Sequence, residues 1–259
     1  MSHISFSALK LWNECPYKYK LNYIDKIKSF EGNLYTAFGS AMHTVCEKTL
    51  LKEWKQSEAP KNFKNEFFNE VEILPENVKQ DMSSKMFEDM IDQGVELAPL
   101  AIPFLNKFFE DYKITSSEEQ LYEPIEGEEI KFKGFIDLAL KTSDGKYHII
   151  DWKTCSWGWD FKRKSDPMTT YQLTLYKYFF CIKHGIDPKN VETYFALLKR
   201  TAKKNHVEIF RVTSGPKKTN NALALLNKAL FSIKKGFYPK NRLSCMGTRC
   251  EFYKTEHCK

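Results

Sequence analysis

The sequence predicts a mixed α/β (α+β) fold, with a central mixed sheet flanked by helices, an added helical layer and a Cys-rich C-terminal tail. Three observations support this prediction. The first 112 residues carry mainly helical periodicity, the next stretch alternates apolar and polar residues as strands do, and helix and strand patterns then follow each other toward the C-terminus. A chain of 259 residues can bury a substantial core, and we expect a single domain over 1–259.

The N-terminal part divides into N-terminal helices (1–44) and a helical insertion (45–118). The stretch "SFSALKLWNECPYKYKLNYI" offers Ser5 or Ser7 as a helix N-cap, and Pro16 opens a second helical piece. "YTAFGSAMHTVCEKTLLKEW" predicts another helix. Phe and Met recur at three-to-four spacing as far as residue 112, and interruptions are expected at Pro75, Pro99 and Pro103.

The core (119–215) is predicted to begin with three strands, at about 120–125, 129–141 and 146–152, separated by turn signals. "TTYQLTLYKYFFCIKHG" predicts a helix that Gly185 ends. "VETYFALLKR" and "HVEIFRVT" predict two more strands. The remaining segment (216–259) predicts a helix at about 217–235 and the Cys-rich tail.

Composition indicates an ordinary soluble globular protein, because 42% of the residues are hydrophobic and 28% are charged. No apolar run is long enough to span a bilayer and the start has no signal-peptide pattern, so we expect a cytoplasmic protein without a membrane partner. A formal charge of +7 suits an anionic partner such as nucleic acid without establishing one. Cys46, Cys155 and Cys181 stand singly in apolar surroundings, which favours buried thiols.

A carboxylate pair and a lysine are the strongest chemical signal. Asp137 and Asp151 are almost equidistant from the turn at 144–145, so a hairpin there makes them cross-strand neighbours, and Lys153 follows on the same strand. Two carboxylates that converge repel each other unless a cation lies between them. Carboxylates that hold Mg²⁺ or Mn²⁺, with a lysine beside the phosphate, are suited to phosphodiester hydrolysis.

Five motifs occur in the order typical of one family. "GFIDLAL" and "HIIDWKT" resemble motifs II and III of the PD-(D/E)xK nuclease superfamily in its RecB-like branch, with its restriction-endonuclease-like core. "FGSAMH" resembles the G-x-x-x-H motif of that branch, "QLTLY" resembles its Q-x-x-x-Y motif, and "LKLWNECPYKYKLNYI" resembles its usual opening. The resemblance covers nearly the whole chain.

The resemblance implies the roles of individual residues. Metal ligands would be His43, Asp137, Asp151 and the carbonyl of Trp152, and the catalytic set would be Asp137, Asp151, Lys153, Gln172 and Tyr176. An acidic residue from the first strand, Glu119 or Glu123, would complete the site.

The implied activity is that of a Mg²⁺- or Mn²⁺-dependent DNA nuclease, an exonuclease that acts on single-stranded or duplex DNA ends and prefers single strands. The resemblance also implies a bacterial or phage-infected host cell, and a recombination or CRISPR-adaptation protein as a partner. A catalytically idle module that binds DNA or protein is the alternative. The chain has no G-x-x-x-x-G-K-[ST] phosphate loop, so ATP-driven unwinding is not expected.

Four cysteines stand near the chain ends, at Cys15, Cys245, Cys250 and Cys258. In the iron–sulfur members of this branch, one cysteine before the core and three after it bind a [4Fe–4S] cluster, which would tie the two ends together. The gaps of four and seven residues in the last three are longer than the family's usual spacing. Zinc, with His257 in place of one sulfur, is the competing interpretation, and no metal is a third.

A basic stretch, "LLKRTAKKNH", leads from the fourth predicted strand into a turn. It is interpreted either as a DNA-facing strand and turn or as a solvated hairpin tip.

Overall fold

The computed structural model describes residues 2–27, 32–247 and 250–259. Strands from these residues form one mixed sheet, which confirms the predicted architecture. β3 pairs antiparallel with β2 and β4, β5 pairs antiparallel with β6, and the pairs β1–β3 and β4–β5 are parallel. The strands are β1 (His3–Ser5), β2 (Tyr112–Pro124), β3 (Lys131–Thr142), β4 (Tyr147–Cys155), β5 (Val191–Lys199) and β6 (Val207–Val212).

Helices cover both faces of this sheet. They are α1 (Phe6–Glu14), α2 (Pro16–Tyr19), α3 (Leu34–Leu50), α4 (Ala59–Glu72), α5 (Glu76–Gln80), α6 (Ser84–Phe109), α7 (Phe161–Ser165), α8 (Pro167–His184), α9 (Pro216–Lys234) and α10 (Arg242–Gly247), with a π-helix (Lys20–Ile24) and 3₁₀ turns (Gln56–Glu58 and Pro188–Asn190). None of the described helices combines the length and hydrophobicity needed to span a bilayer.

Two helix ends form at the residues that the sequence predicts. Ser5 caps α1 by accepting a hydrogen bond from the backbone N–H of Ala8 at 3.2 Å. Gly185 follows α8 in the left-handed conformation, with φ of 63°, which a glycine adopts without steric cost.

The sheet separates two apolar cores. Helices α3, α4 and α6 pack on one face, and α1, α8 and α9 pack on the other. Helices α4 to α6 are the added layer that the sequence predicts. Phe38 of α3 packs against Phe63 and Phe67 of α4, and all three side chains are fully buried.

The expected interruptions at Pro99 and Pro103 are wrong, because α6 runs through both prolines as one helix of 26 residues. Each proline removes an intrahelical hydrogen bond at a cost of about 3 kcal/mol. The apolar face of the helix offsets that cost by burial: Leu97, Ala101 and Leu105 are completely buried.

The first core strand begins earlier than predicted. β2 starts at Tyr112 and pairs along the whole of β3, so the helical layer ends at Phe109 rather than extending to residue 118. The first half of β2 is polar and lies at the edge of the sheet, where one side of the strand faces solvent. It therefore lacks the apolar alternation on which the prediction depended.

The other edge of β3 is divided between two partners. It pairs with β1 over Lys131–Lys133 and with β4 over Leu138–Lys141. The residues between these ladders, 134–137, pair with neither strand. The sheet is therefore open at this point, and the candidate site lies beside the opening.

Candidate active site

Three acidic residues occupy one row across the sheet. Leu138 pairs with Ile150, so the next positions toward the opening place Asp137 opposite Asp151, as the sequence predicts. On the other side, Glu118 lies opposite Asp137, between paired residues of β2. Adjacent strands are about 4.8 Å apart, so a row of this kind concentrates negative charge.

The Asp137 carboxylate links two elements of the site. Its Oδ2 accepts a hydrogen bond of 2.7 Å from the backbone N–H of Trp152 and lies 3.5 Å from Nδ1 of His43. Just beyond the last β3–β4 pair, this side chain therefore takes the place of a backbone partner and fixes the carboxylate where the strands separate.

His43 reaches the site from α3, which begins at a capping box formed by Asn33 and Thr36. Its Nε2 lies 3.0 Å from the carbonyl oxygen of Trp152. A carbonyl only accepts hydrogen bonds, so Nε2 must carry the hydrogen. In the neutral ring, the lone pair of Nδ1 then faces the Asp137 carboxylate, an arrangement that a cation between the two atoms would stabilise.

Glu118 completes a possible ligand group. One ligand atom from each of His43, Glu118 and Asp137 lies within 4.8 Å of the other two. Burial, together with repulsion from Asp137, raises the pKa of Glu118 to about 7. Its backbone is left-handed, with φ of 48°, which is a costly conformation for a residue with a side chain. One nitrogen and two hard oxygens fit a divalent cation.

Asp151 and Lys153 form a separate ion pair, in which the carboxylate is buried and the lysine side chain is 32% exposed. Oδ2 of Asp151 lies 2.5 Å from Nζ of Lys153, and Asp151 is only 1% exposed. Burial and Asp137 together outweigh Lys153 and raise the pKa of Asp151. Burial lowers the pKa of Lys153, but the two carboxylates more than compensate and raise it, so the ammonium stays charged. Asp151 is not part of the His43 ligand group.

Helix α8 supplies the predicted glutamine and tyrosine. Nε2 of Gln172 donates to Oδ1 of Asp151 at 2.9 Å and lies 3.3 Å from the Tyr176 hydroxyl. A β-carbon on Gly134 would lie 2.7 Å from Cε1 of Tyr176, so the close approach of α8 to β3 requires a glycine there. Burial raises the pKa of Tyr176, which keeps its hydroxyl neutral.

Asp151, Lys153 and the two side chains from α8 line a cleft of about 390 Å³. Its opposite wall comes from the start of the chain and from the unpaired edge of β3. The lining includes Ser5, Ser7, Lys133, Gly134, Asp137, Asp151, Lys153, Gln172 and Tyr176.

The acidic residue of β2 in the ligand group is Glu118, one position before Glu119 and five before Glu123, the two candidates from the sequence. Glu119 instead binds Lys183 and His184 of α8, and Glu123 is not part of the ligand group. The expected first strand began at residue 120 and excluded Glu118. The bulge between Ile114 and Ser116, which alters the alternation along β2, leaves no sequence signal for Glu118. The sequence shows Gly134 only as the glycine of "KGF" and does not indicate its close approach to Tyr176.

The four cysteines from the chain ends line one cavity of about 350 Å³. Among the described residues, no three of these thiols come within 4.8 Å of one another. His257 does not line this cavity; its ring lies beside Phe252 and pairs with Glu256. The cavity also has basic residues around it: Lys18, Lys240, Arg242, Lys254 and Lys259.

A mixed sheet with carboxylates, a histidine and a lysine at its open edge defines the class of protein as a nuclease with a candidate metal site. A model of the PD-(D/E)XK nuclease superfamily matches residues 3–255, and the chain belongs to that superfamily. Membership supports a hydrolase that acts on nucleic acid, in agreement with the resemblance seen in the sequence.

A solved structure supports the fold. A crystal structure from Eubacterium rectale, of a protein provisionally named an exonuclease, is 13% identical, with a TM-score of 0.59 over 98% of this chain and 89% of that chain. The structure of SSO0001 is 16% identical over 92% of this chain and 91% of that chain, with a TM-score of 0.37. No curated protein is a significant match.

Proposed function

We propose that the protein is a Mg²⁺- or Mn²⁺-dependent deoxyribonuclease, an exonuclease that hydrolyses DNA from its ends with a preference for single strands. The observation that carries this proposal is the row of Glu118, Asp137 and Asp151 across three strands, with His43 and Lys153 at its two sides. The Eubacterium rectale protein, named as an exonuclease, adds support for action at ends. Recombination, repair and CRISPR-type DNA processing are the settings in which such an enzyme would act.

His43, Glu118 and Asp137 would hold the cation, and the Trp152 carbonyl and Asp151 lie next to them. When bound, a divalent cation supplies Lewis acidity, which acidifies water and neutralises charge that develops on the phosphate. This chemistry requires ionised carboxylates, and the raised pKa of Glu118 means that cation binding at neutral pH is coupled to loss of a proton from that group.

Lys153 is the group that would contact the substrate directly. Its raised pKa keeps it protonated, so it donates hydrogen bonds to an attacking water and to the phosphate oxygens. Asp151 holds the ammonium in place, and Gln172 in turn fixes Asp151 through its hydrogen bond to Oδ1. This relay from α8 to β4 orients the lysine toward the cleft.

End-labelled single-stranded and duplex DNA, with a circular single strand beside them, test this proposal in Mg²⁺, Mn²⁺ or EDTA. We expect wild-type protein to shorten the linear strands in the presence of the metal and to leave the circle intact. Lys153→Met should slow cleavage by roughly 100-fold or more. Lys141→Met, which removes an equal charge at the far end of β3, is the matched control and should cleave normally.

Equal cleavage by Lys153→Met and the wild type would refute the site. Cleavage of the circle would make the enzyme an endonuclease. Tight DNA binding by the wild type without cleavage in either metal would instead support the idle binding module.

We also propose that Cys15, Cys245, Cys250 and Cys258 bind a [4Fe–4S] cluster. A tetrahedral zinc site needs its sulfurs roughly 3.8 Å apart, given Zn–S bonds of about 2.3 Å. A four-iron cluster is larger than one ion, and the four thiols line a single cavity of about 350 Å³, which supports the cluster. Burial raises the pKa of the Cys250 thiol and Lys18 opposes that shift only in part, so the cluster itself would have to displace the proton.

Anaerobic purification followed by iron, sulfide and zinc analysis tests the cluster. We expect brown protein with about four irons per chain, the content of the cluster itself. Cys250→Ser should lose the colour, whereas Cys155→Ser, outside this cavity, should keep it. Colourless protein with stoichiometric zinc, or with no metal, would refute the cluster.

A further inference from the structure

A buried arginine lies in a second cleft, of about 330 Å³, between the helical layer and the ends of β4 and β5. Arg200 is 8% exposed and follows β5 directly. Its backbone N–H donates to the carbonyl of Cys155 at 2.8 Å, which fixes it beside the end of β4. The cleft also contains the start of α6, including Ser83 and Lys85.

The guanidinium of Arg200 has neutral partners. Nη1 donates to Oε1 of Gln93 at 2.8 Å, and Nη2 donates to Oγ of Ser156 at 2.9 Å. The group also lies over the rings of Tyr35 and Phe38, at 5.1 and 5.4 Å from their centroids. Among the described residues, no carboxylate forms an ion pair with it. Burial lowers the pKa of Arg200, yet an arginine keeps its charge in a protein.

A buried charge without a counter-ion is costly unless a partner arrives from outside. The partner at position 93 is a neutral glutamine, although a glutamate there would be nearly isosteric and would neutralise the arginine. With glutamine, the positive charge stays available to the cleft.

The other groups around the cleft also favour an anion. Ser83 is the N-cap residue of α6 but makes no side-chain capping bond, so the positive end of this 26-residue helix remains open here. Hydroxyl groups come from Ser83, Ser156 and Thr201, and Lys85 adds a second cation. Asp89 is the one acidic residue in the described lining.

The cleft lies within reach of the candidate active site along two elements. Ser156 follows Lys153 by three residues of extended chain, roughly 10 Å. Tyr35 precedes His43 by eight residues of α3, roughly 12 Å. A short stretch of one nucleic-acid strand can span these separations.

We propose that Arg200 and the start of α6 form a phosphate-binding subsite for the backbone of the substrate strand, outside the catalytic centre. The inference rests on the proposed nuclease function. An arginine fork binds a phosphodiester bidentately, and the contact carries no base preference. The turn after β5 adds positive charge close to Arg200 in the sequence, because Lys203 and Lys204 are exposed and have no ion-pair partner among the described residues.

The decisive variant is Gln93→Glu, which gives Arg200 an internal counter-ion. We expect this variant to fold at least as stably as the wild type but to bind DNA less tightly. Arg200→Met should show the same loss of binding. Arg211→Met is the matched control, because Arg211 lies on β6, is 56% exposed at its side chain and pairs with Glu192.

Binding of a fluorescent oligothymidine is measured in EDTA at several KCl concentrations, alongside cleavage in Mn²⁺. We expect Gln93→Glu and Arg200→Met to bind roughly ten- to hundredfold more weakly, which is the loss of one charged hydrogen-bonded contact. The slope of log K against log salt should become shallower by about 0.7, the value for one phosphate on a single strand. Arg211→Met should match the wild type.

Unchanged affinity and slope in Gln93→Glu would overturn the subsite, even if Arg200→Met fails to fold. A further measurement, thermal unfolding with inorganic phosphate, distinguishes a site for free phosphate from a site for the DNA backbone. If phosphate stabilises the wild type through Arg200 while neither variant changes DNA binding, the proposed subsite for DNA is also overturned. A wild type that neither binds nor cleaves DNA refutes the proposed function itself. A wild type that binds and cleaves DNA, with Gln93→Glu and Arg200→Met equal to it in both respects, refutes the subsite alone.

Discussion

Replacing Glu118 with glutamine should change the stability of the metal-free protein and its metal affinity in opposite directions. The pKa of Glu118 is raised to about 7 from an ordinary value of 4.5, chiefly by burial. In the unfolded chain the group therefore ionises at lower pH than in the folded protein. The wild type loses stability as pH rises from about 4.5 to about 7, and the penalty is complete above that range.

The size of the effect follows from the geometry. The ligand atoms of Glu118 and Asp137 lie within 4.8 Å of each other, where two like charges repel by about 3.5 kcal/mol at an effective dielectric constant of 20. The carboxylate of Glu118 is partly buried but the residue as a whole is exposed, so solvent screening reduces the penalty to about 1 kcal/mol. In EDTA at pH 8, Glu118→Gln should therefore raise Tm by roughly 2–4 °C.

Metal binding should respond in the other direction. Glutamine lacks the anionic oxygen, so affinity for Mn²⁺ should fall by roughly 100-fold. Calorimetric unfolding in EDTA at pH 5 and pH 8, together with titration calorimetry of Mn²⁺, measures both effects. The rise in Tm should be much smaller at pH 5 than at pH 8, because the penalty has only begun to develop there.

Glu119→Gln is the matched control for this prediction. The carboxylate of Glu119 is paired with Lys183 and His184, away from the ligand group. This variant should lower Tm and leave Mn²⁺ affinity unchanged. If Glu118→Gln has no higher Tm than the wild type in EDTA at pH 8, and equal Mn²⁺ affinity, then Glu118 is not part of a cation site.

Three further substitutions test the supporting structure. Gln172→Leu removes the hydrogen bond to Asp151 and should lower the cleavage rate roughly tenfold and move the acidic limb of its pH profile upward; an unshifted profile would contradict the relay. Gly94→Ala places a β-carbon 1.8 Å from Phe63 and should destabilise the fold by about 1–3 kcal/mol in denaturant unfolding, with partial rescue by Phe63→Leu; a stabilised variant would contradict this packing. Ser5→Ala removes the α1 cap and should cost about 1 kcal/mol by the same assay, whereas Ser7→Ala, on an exposed position, should cost less.

Short-range patterns in the sequence account for much of the fold and part of the site. The hairpin between β3 and β4 follows from alternation on both sides of one turn, and its symmetry correctly places Asp137 opposite Asp151. The ends of α1 and α8 follow from Ser5 and Gly185, because capping and left-handed backbone depend on single residues. Gln172 and Tyr176 were likewise predictable as neighbours, since they are one helical turn apart.

Contacts between distant segments were decided only by the tertiary structure. The bulge in β2 and the left-handed backbone at Glu118 selected that residue over Glu119, and neither feature has a composition signal. Burial of one face kept α6 continuous through two prolines whose local effect is to break a helix. Whether Arg200 meets a glutamine or a carboxylate depends on packing between α6 and β5, which local periodicity does not encode. Sequence patterns thus determined the elements and the chemical types at the site, whereas long-range packing determined which of those side chains meet.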